Sequence, residues 1–393
     1  MPTATNPNLA AVFAPPVMEA RRWVADAVFP PGRPLLNFSQ AAPVDPPPQA
    51  LRDAMARAVR EDAGIHLYGP VLGDRDLREA IARRWSMHYG APVEPDQVAV
   101  TAGCNQAFCA AVAALAAPGE AVLLPVPWYF NHKMWLDMSG IEARAVPCGD
   151  GMLPDLDAAR TAMDGSVRAI VLVTPNNPTG AEYPAGLMDG FHALARAHDA
   201  ALIVDETYRD FHSASGPPHA LFSADDWPET LVHLYSFSKV YRLTGHRTGA
   251  IVTGERRLAE IEKFLDTVAI CAPRVGQFAA LEGLRTLDQW VAAERAEFLS
   301  RRATLERLFA ERLPDWRVHG AGAYFAWVEP PFDLGSDRLA RRLVDEQSLL
   351  VLPGTMFVPE GAEAGRRQLR IAFANADSAG LEALVDRLAA FAP

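Results

Sequence analysis

Between residues 97 and 236 short, unbroken apolar runs alternate with stretches of helical period. The runs are "QVAVTAG" at 97–103, "AVLLP" at 121–125, "RAIVLVTP" at 168–175, "ALIVDE" at 201–206 and "LVHLYS" at 231–236. Runs that do not alternate apolar with polar residues suit strands buried on both faces, and the intervening helices supply the covers. The pattern therefore predicts an α/β large domain, a three-layer, mostly parallel sheet. Helical periodicity also covers 49–60, 77–89 and 185–199. From about residue 287 the character changes to a long amphipathic helix, then "GAYFAWVE" (strand), "LARRLVDEQ" (helix), "LLVLPG" and "RQLRIAFA" (strands) and a last helix, "AGLEALVDRLAAF". That mixture predicts a smaller α+β domain. Residues 1–48, rich in proline but dotted with Val17, Trp23, Val28 and Leu36, read as an arm packing with the small domain. The expected division is 1–48 (arm), 49–286 (large domain) and 287–393 (small domain).

Composition narrows the partners. A net charge of -11 argues against phosphate-backbone binding, so no nucleic-acid partner is expected. No apolar run approaches the ~18 residues of a membrane span, and the start lacks a charged segment followed by an apolar stretch, which points to a cytoplasmic protein. Cys104, Cys109, Cys148 and Cys271 form no C-x-x-C pair and read as reduced thiols. The ten histidines show no close pairing, so no metal site is expected. The arginine pairs of "RRW" at 21–23 and 83–85 read as structural.

Chemistry enters at the strand ends. Ligands of open parallel sheets sit at the carboxyl ends of the strands. Here those ends carry "PNNPTG" after 168–174, "DETY" at 205–208 and "SFSK" at 236–239. An asparagine, an acid, a tyrosine and a lysine would then share one cleft. Lys239 is one of only three lysines in the chain, with Lys133 and Lys263. A desolvated lysine amine is the side chain that forms a Schiff base with a carbonyl, whereas arginine stays charged. Pyridoxal 5'-phosphate exploits such a lysine together with an acid at its pyridinium nitrogen, which Asp205 fits. Arg247 offers a planar fork for a phosphate.

The stretches "LYGPVLGDRDLREAIA", "VTAGCNQAF", "PVPWYF", "TPNNPTG", "DETYRDF", "SFSKVYRLTGHRTG", "VLPGTMF" and "LRIAFA" occur in one order across residues 36–375. Together they resemble the class I/II aminotransferase family of fold-type I pyridoxal-phosphate enzymes. The resemblance implies an aminotransferase that moves an amino group from an L-amino acid to a 2-oxo acid by a ping-pong cycle. Lys239 would carry the internal aldimine and shuttle the proton. Asp205 would pair with the ring nitrogen, and Asn177 and Tyr208 with the ring phenolic oxygen. Arg247, Ser236, Ser238 and the amides of Gly103, Cys104 and Asn105 would cradle the phosphate. Tyr129 would stack on the ring, and Arg370, with Asn177, would hold the substrate α-carboxylate. Tyr68 would reach the phosphate of a neighbouring subunit, which implies a homodimer with shared sites.

Two departures accompany the resemblance. Cys104 stands where other members offer hydroxyls or lysine. Asp266 falls where aspartate-preferring relatives of one subgroup place an arginine, with Arg274 close by. The same resemblance places Trp128, His132, Tyr324 and Phe13 around the side-chain pocket and favours a neutral or aromatic side chain. A lyase, a decarboxylase or a cyclising synthase of the ACC-synthase kind would use the same lysine and aspartate. The S-x-x-K spacing of Ser236 to Lys239 also fits an acyl-serine enzyme, but no S-D-N accompanies it.

Overall fold

The computed structural model describes residues 5–393. The arm holds a short strand, β1 (Leu36–Asn37). The large domain contributes β2 (Val98–Thr101), β3 (Ala121–Val126), β4 (Glu142–Pro147), β5 (Val167–Val173), β6 (Ala201–Asp205), β7 (Leu231–Ser236) and β8 (Gly249–Val252). These form one sheet in the order β2-β8-β7-β6-β5-β3-β4. Six of them point the same way, and β8 alone runs antiparallel, between β2 and β7. Because β8 returns antiparallel to β7, the short link through residues 237–248 suffices to join them.

Successive residues of each strand feed opposite layers. Val98, Val100, Leu202 and Val204 pack into one core, with Trp85 and Phe191. Ala99, Ile203, Val232 and Ile251 pack into another, with Phe108 and Leu258. This is the three-layer arrangement that unbroken apolar runs demand. Burying each such Leu, Ile or Val contributes about 1.5–3 kcal/mol, which holds the strand ends rigid beneath the site.

The small domain is built on the helix Asp288–Arg312 and four strands, with β9 (Arg317–Gly322) and β10 (Phe325–Glu329) forming a hairpin. The stretch "LLVLPG" is divided between two sheets. β11 (Leu349–Leu350) pairs in parallel with β1, while β12 (Leu352–Pro353) pairs with β13 (Leu369–Ile371), itself beside β10. The arm is thus stitched into the small domain by backbone hydrogen bonds. Its helix Pro16–Val24 buries Ala20 in a cluster with Phe130 and Met134 of the large domain and Trp327 and Phe357 of the small one. The helix Pro7–Ala11 lies against Phe130–Met138. Among the described residues no helix is long and apolar enough to cross a membrane.

Candidate active site

A cavity of about 500 Å³ opens where the ends of β5, β6 and β7 meet the arm and the small domain. Its lining includes Cys104, Asn105, Tyr129, Asn177, Asp205, Tyr208, Ser236, Ser238, Lys239, Arg247 and Arg370. Parallel register sets Asp205 of β6 beside Val173 of β5 and Leu234 of β7. The chain then leaves β7 through the short helix Phe237–Val240, which carries Lys239.

One end of the cavity is a cradle of donors. The helix Cys104–Ala113 starts there behind Gly103, which has φ +87° and supplies no side-chain cap. A Cβ on Gly103 would stand 2.3 Å from Arg247 Nη2, so only glycine lets the guanidinium approach the helix start. Gly249 is required for the same closeness: its Cβ would lie 2.7 Å from the Gly103 carbonyl carbon. The Gly103 amide itself donates to the Thr101 carbonyl at 2.8 Å, which leaves the amides of Cys104 and Asn105 to open the first turn. Arg247 takes a left-handed backbone, φ 50°, and donates to the Thr244 carbonyl at 3.0 Å and Ser238 Oγ at 3.4 Å. Ser236 Oγ accepts from the Ser238 amide at 3.2 Å.

At the centre, Lys239 is half-buried and donates from Nζ to the Ala41 carbonyl at 2.6 Å. Burial first, then the charges of Arg247 and Arg370, bring its pKa down to about 8. Asp205 is 3% exposed. Burial opposes its charge, yet donors prevail and keep it below its ordinary value. His132 Nε2 lies 3.3 Å from Oδ2, and Thr207 donates to Oδ1 from its amide (3.0 Å) and hydroxyl (2.7 Å). His132 is fixed by stacking on Phe108, with ring centroids 3.8 Å apart. Cys104 is buried, and burial together with the nearby Asp205 pushes its thiol well up, so it stays protonated.

At the far end Arg370 lies between the rings of Phe325 and Phe357, each centroid 4.9 Å from Cζ. Nη1 donates to Asn177 Oδ1 at 3.1 Å and Nη2 to the Ser39 carbonyl, while the buried Nε has no protein partner. Burial lowers even this guanidinium, to about 10. Tyr129 OH donates to Asn105 Oδ1 at 3.3 Å and accepts from Asn131 Nδ2 at 2.8 Å. Tyr208 packs on Tyr324 and Phe325.

Residues 33–388 match the family model "Aminotransferase class I and II". The chain belongs to that family. Among its relatives is aromatic-amino-acid aminotransferase 2 of Thermococcus litoralis, 28% identical over 333 residues, covering 83% of this chain and 84% of that protein. The aspartate aminotransferase of Thermotoga maritima is 26% identical over 372 residues, 93% of this chain and 94% of that one. The solved N-succinyldiaminopimelate aminotransferase of Mycobacterium tuberculosis superposes with a TM-score of 0.87 at 27% identity, over 98% of this chain and 99% of that chain. The protein is a pyridoxal-phosphate-dependent class I/II aminotransferase. Its residues fit that cofactor: an anion cradle that a Cβ on Gly103 would fill, a half-buried amine with a lowered pKa, and a buried carboxylate held ionised.

Several residues named from the sequence lie outside this chain's cavity. Tyr68 is 78% exposed and outside its own chain's cavity. Asp266 is on the exposed side of the helix Glu255–Ala269, and Arg274 pairs with Asp74 at 3.1 Å. Trp128, Phe13 and Tyr324 do not line the cavity, and His132 sits behind Asp205, which removes the basis for expecting a neutral or aromatic side chain. Sequence reasoning missed the Ser39 and Ala41 carbonyls and Arg21, an arm residue in the lining. Only the apolar anchors of the arm hinted at them.

Proposed function

We propose that this aminotransferase transfers an amino group from an L-amino acid to a 2-oxo acid in two half-reactions, with Lys239 as the residue that binds the cofactor and moves the proton. The observation that carries this reading is the half-buried Lys239 amine, brought to a pKa of about 8, in one cavity with Asp205, Arg247 and Arg370. Pyridoxal phosphate, when bound, supplies an aldehyde that condenses with amines and a ring that takes up electrons from the adjoining carbon. A fair fraction of Lys239 is neutral near pH 8, so it can attack as a nucleophile and afterwards accept and return a proton. Asp205, kept ionised by His132 and Thr207, would face the protonated ring nitrogen, and Asn177 and Tyr208 the phenolic oxygen. Arg247, Ser236, Ser238 and the amides of Cys104 and Asn105 would hold the phosphate, where the helix start favours an anion. Tyr129 would lie against the ring. Arg370 would fork the α-carboxylate in a pocket dried by Phe325 and Phe357.

The competing outcome at the same residues is elimination or decarboxylation. Incubating the holoenzyme with amino acids and a 2-oxo acid acceptor separates them. Appearance of the new amino acid supports this reading; release of ammonia and pyruvate, or of carbon dioxide, without it overturns it.

We further infer a homodimer. Leu67, Tyr68, Val268 and Ile270 are exposed at 67%, 78%, 57% and 41%. They are neighbours, since the Gly69 amide lies 3.5 Å from Cys271 Sγ. A second copy covering this patch would bring Tyr68 to the partner's site. Sedimentation should give the mass of two chains; a monomer at micromolar concentration would rule the dimer out.

A further inference from the structure

Three consecutive arm residues each hold one cation of the cavity. The Ser39 carbonyl accepts from Arg370, the Gln40 side-chain oxygen from Arg21 Nη2 at 2.7 Å, and the Ala41 carbonyl from Lys239 at 2.6 Å. Neighbouring Cα atoms are about 3.8 Å apart. The anchor of Arg21 therefore lies one residue from the anchors of the other two. Arg21 itself projects from the helix Pro16–Val24, whose next residue back, Ala20, is fully buried and fixes the helix against the body.

Charge in the cavity is unbalanced. The lining holds four cations, Arg21, Lys239, Arg247 and Arg370, against one carboxylate, Asp205. The function proposed above, on which this argument rests, uses three of the cations: Lys239 for the aldehyde, Arg247 for the phosphate and Arg370 for the α-carboxylate. Arg21 is left over. Among the described residues it has no carboxylate within 4.0 Å, although the adjacent Arg22 pairs with Glu19 at 2.9 Å. Arg21 is exposed, and Gln40 orients its guanidinium through a neutral oxygen with no carboxylate beside it.

We propose that Arg21 determines specificity by binding an anion at the far end of the substrate side chain, so that the enzyme takes amino acids and 2-oxo acids bearing a second, distal carboxylate. The α-carboxylate at Arg370 and the reacting amine at Lys239 fix one end of the substrate. The side chain then extends toward the mouth, where the Arg21 fork offers two parallel N–H donors, the geometry that suits a carboxylate. In this chain the arm performs the recognition, and neither Asp266 nor Arg274 takes part.

Calorimetric titration of the holoenzyme with the linear diacids from malonate to adipate, and with monoacids of equal length, tests this without turnover. At least one diacid should bind roughly tenfold or more tightly than its monoacid. Arg21→Gln should remove that advantage and leave the monoacids unchanged, and Arg21→Lys should restore part of it. In turnover, the kcat/KM ratio of L-glutamate over L-glutamine, or of L-aspartate over L-asparagine, should fall roughly tenfold or more in Arg21→Gln. Diacids that bind no better than monoacids, or a variant that weakens both alike, would overturn the proposal. A diacid preference in an enzyme that transaminates nothing would sink the activity reading and leave Arg21 standing. Transamination of neutral amino acids with no diacid preference would do the reverse.

Discussion

At the end of β6 two consecutive carboxylates serve opposite sides of the sheet. Asp205 lines the cavity, and Glu206 lies among Tyr89, His219 and His233 in the layer behind it. Behind the sheet the Glu206 carboxylate is answered by the protein. Glu206 accepts from Tyr89 OH and from His233 Nε2 at 2.8 Å, and His219 Nε2 stands 3.2 Å away. The Trp85 indole donates to His233 Nδ1 at 3.2 Å; an indole can only donate, so the His233 proton sits on Nε2, toward Glu206. Arg209 lies 3.9 Å over the Trp85 ring and 4.7 Å over Tyr235. Burial opposes the Glu206 charge, but His219 and His233 outweigh it and hold its carboxyl well below the usual range. In front, four cations face one carboxylate across an open cavity; guanidinium nitrogens without a hydrogen-bond partner occur on both faces, at Arg209 behind and at Arg370 in front. Charge settled within the chain belongs to the fold, and charge left unsettled in a cavity belongs to ligands.

The largest effect should come from the front. Lys239→Ala should leave a folded protein without a stable visible cofactor band and cut transamination on the order of 10^4-fold. Steady-state rates and an absorbance spectrum check this. Next, Glu206→Ala should cost about 3–5 kcal/mol of stability, because it strands the buried Tyr89, His219 and His233 that the carboxylate joins. Asp205→Asn should barely move the urea midpoint while activity collapses. Equal stability losses for the two would erase the contrast between the faces. Arg370→Leu should raise the barrier in kcat/KM by about 2–5 kcal/mol with cofactor retained, since the α-carboxylate loses its partner in a dry pocket. Unchanged kinetics would remove Arg370 from the site. The smallest effect is graded by pH. Only the neutral amine captures an aldehyde, so the rate at which apoenzyme takes up pyridoxal phosphate should climb up to pH about 8 and level off above it. Stopped-flow absorbance from pH 6 to 10 reads that curve, and a midpoint near the ordinary lysine value would contradict the burial argument.

Much of the front was legible in the chain. The unbroken apolar runs predicted β2, β3, β5, β6 and β7, and the motifs at their ends named most of the cavity lining. The edge strand β4, with the mixed sequence "EARAVP", carries no apolar run and was not foreseen. β8 and β9 escaped for related reasons, the first being short and attached to the lysine motif, the second beginning "RVHG". What periodicity cannot show is which backbone carbonyl meets which distant side chain. His132 beneath Asp205 and Arg21 at the mouth depend on such long-range docking. The triplet at 21–23, read as structural, instead places Arg21 in the cavity lining.

The stitching of the arm also orders events during synthesis. Ser39 and its partner Arg370 are 331 residues apart, and β1 pairs with a strand that lies almost as far along the chain. At roughly 5–20 residues per second, a ribosome needs on the order of tens of seconds to deliver that partner. For that time the large sheet can assemble its phosphate cradle and lysine while the wall opposite them is still missing. With the roles proposed above, the nascent chain would be able to hold the cofactor before it can select a substrate. Discrimination would arrive last, when the final strands emerge and pair with the arm beside the cavity.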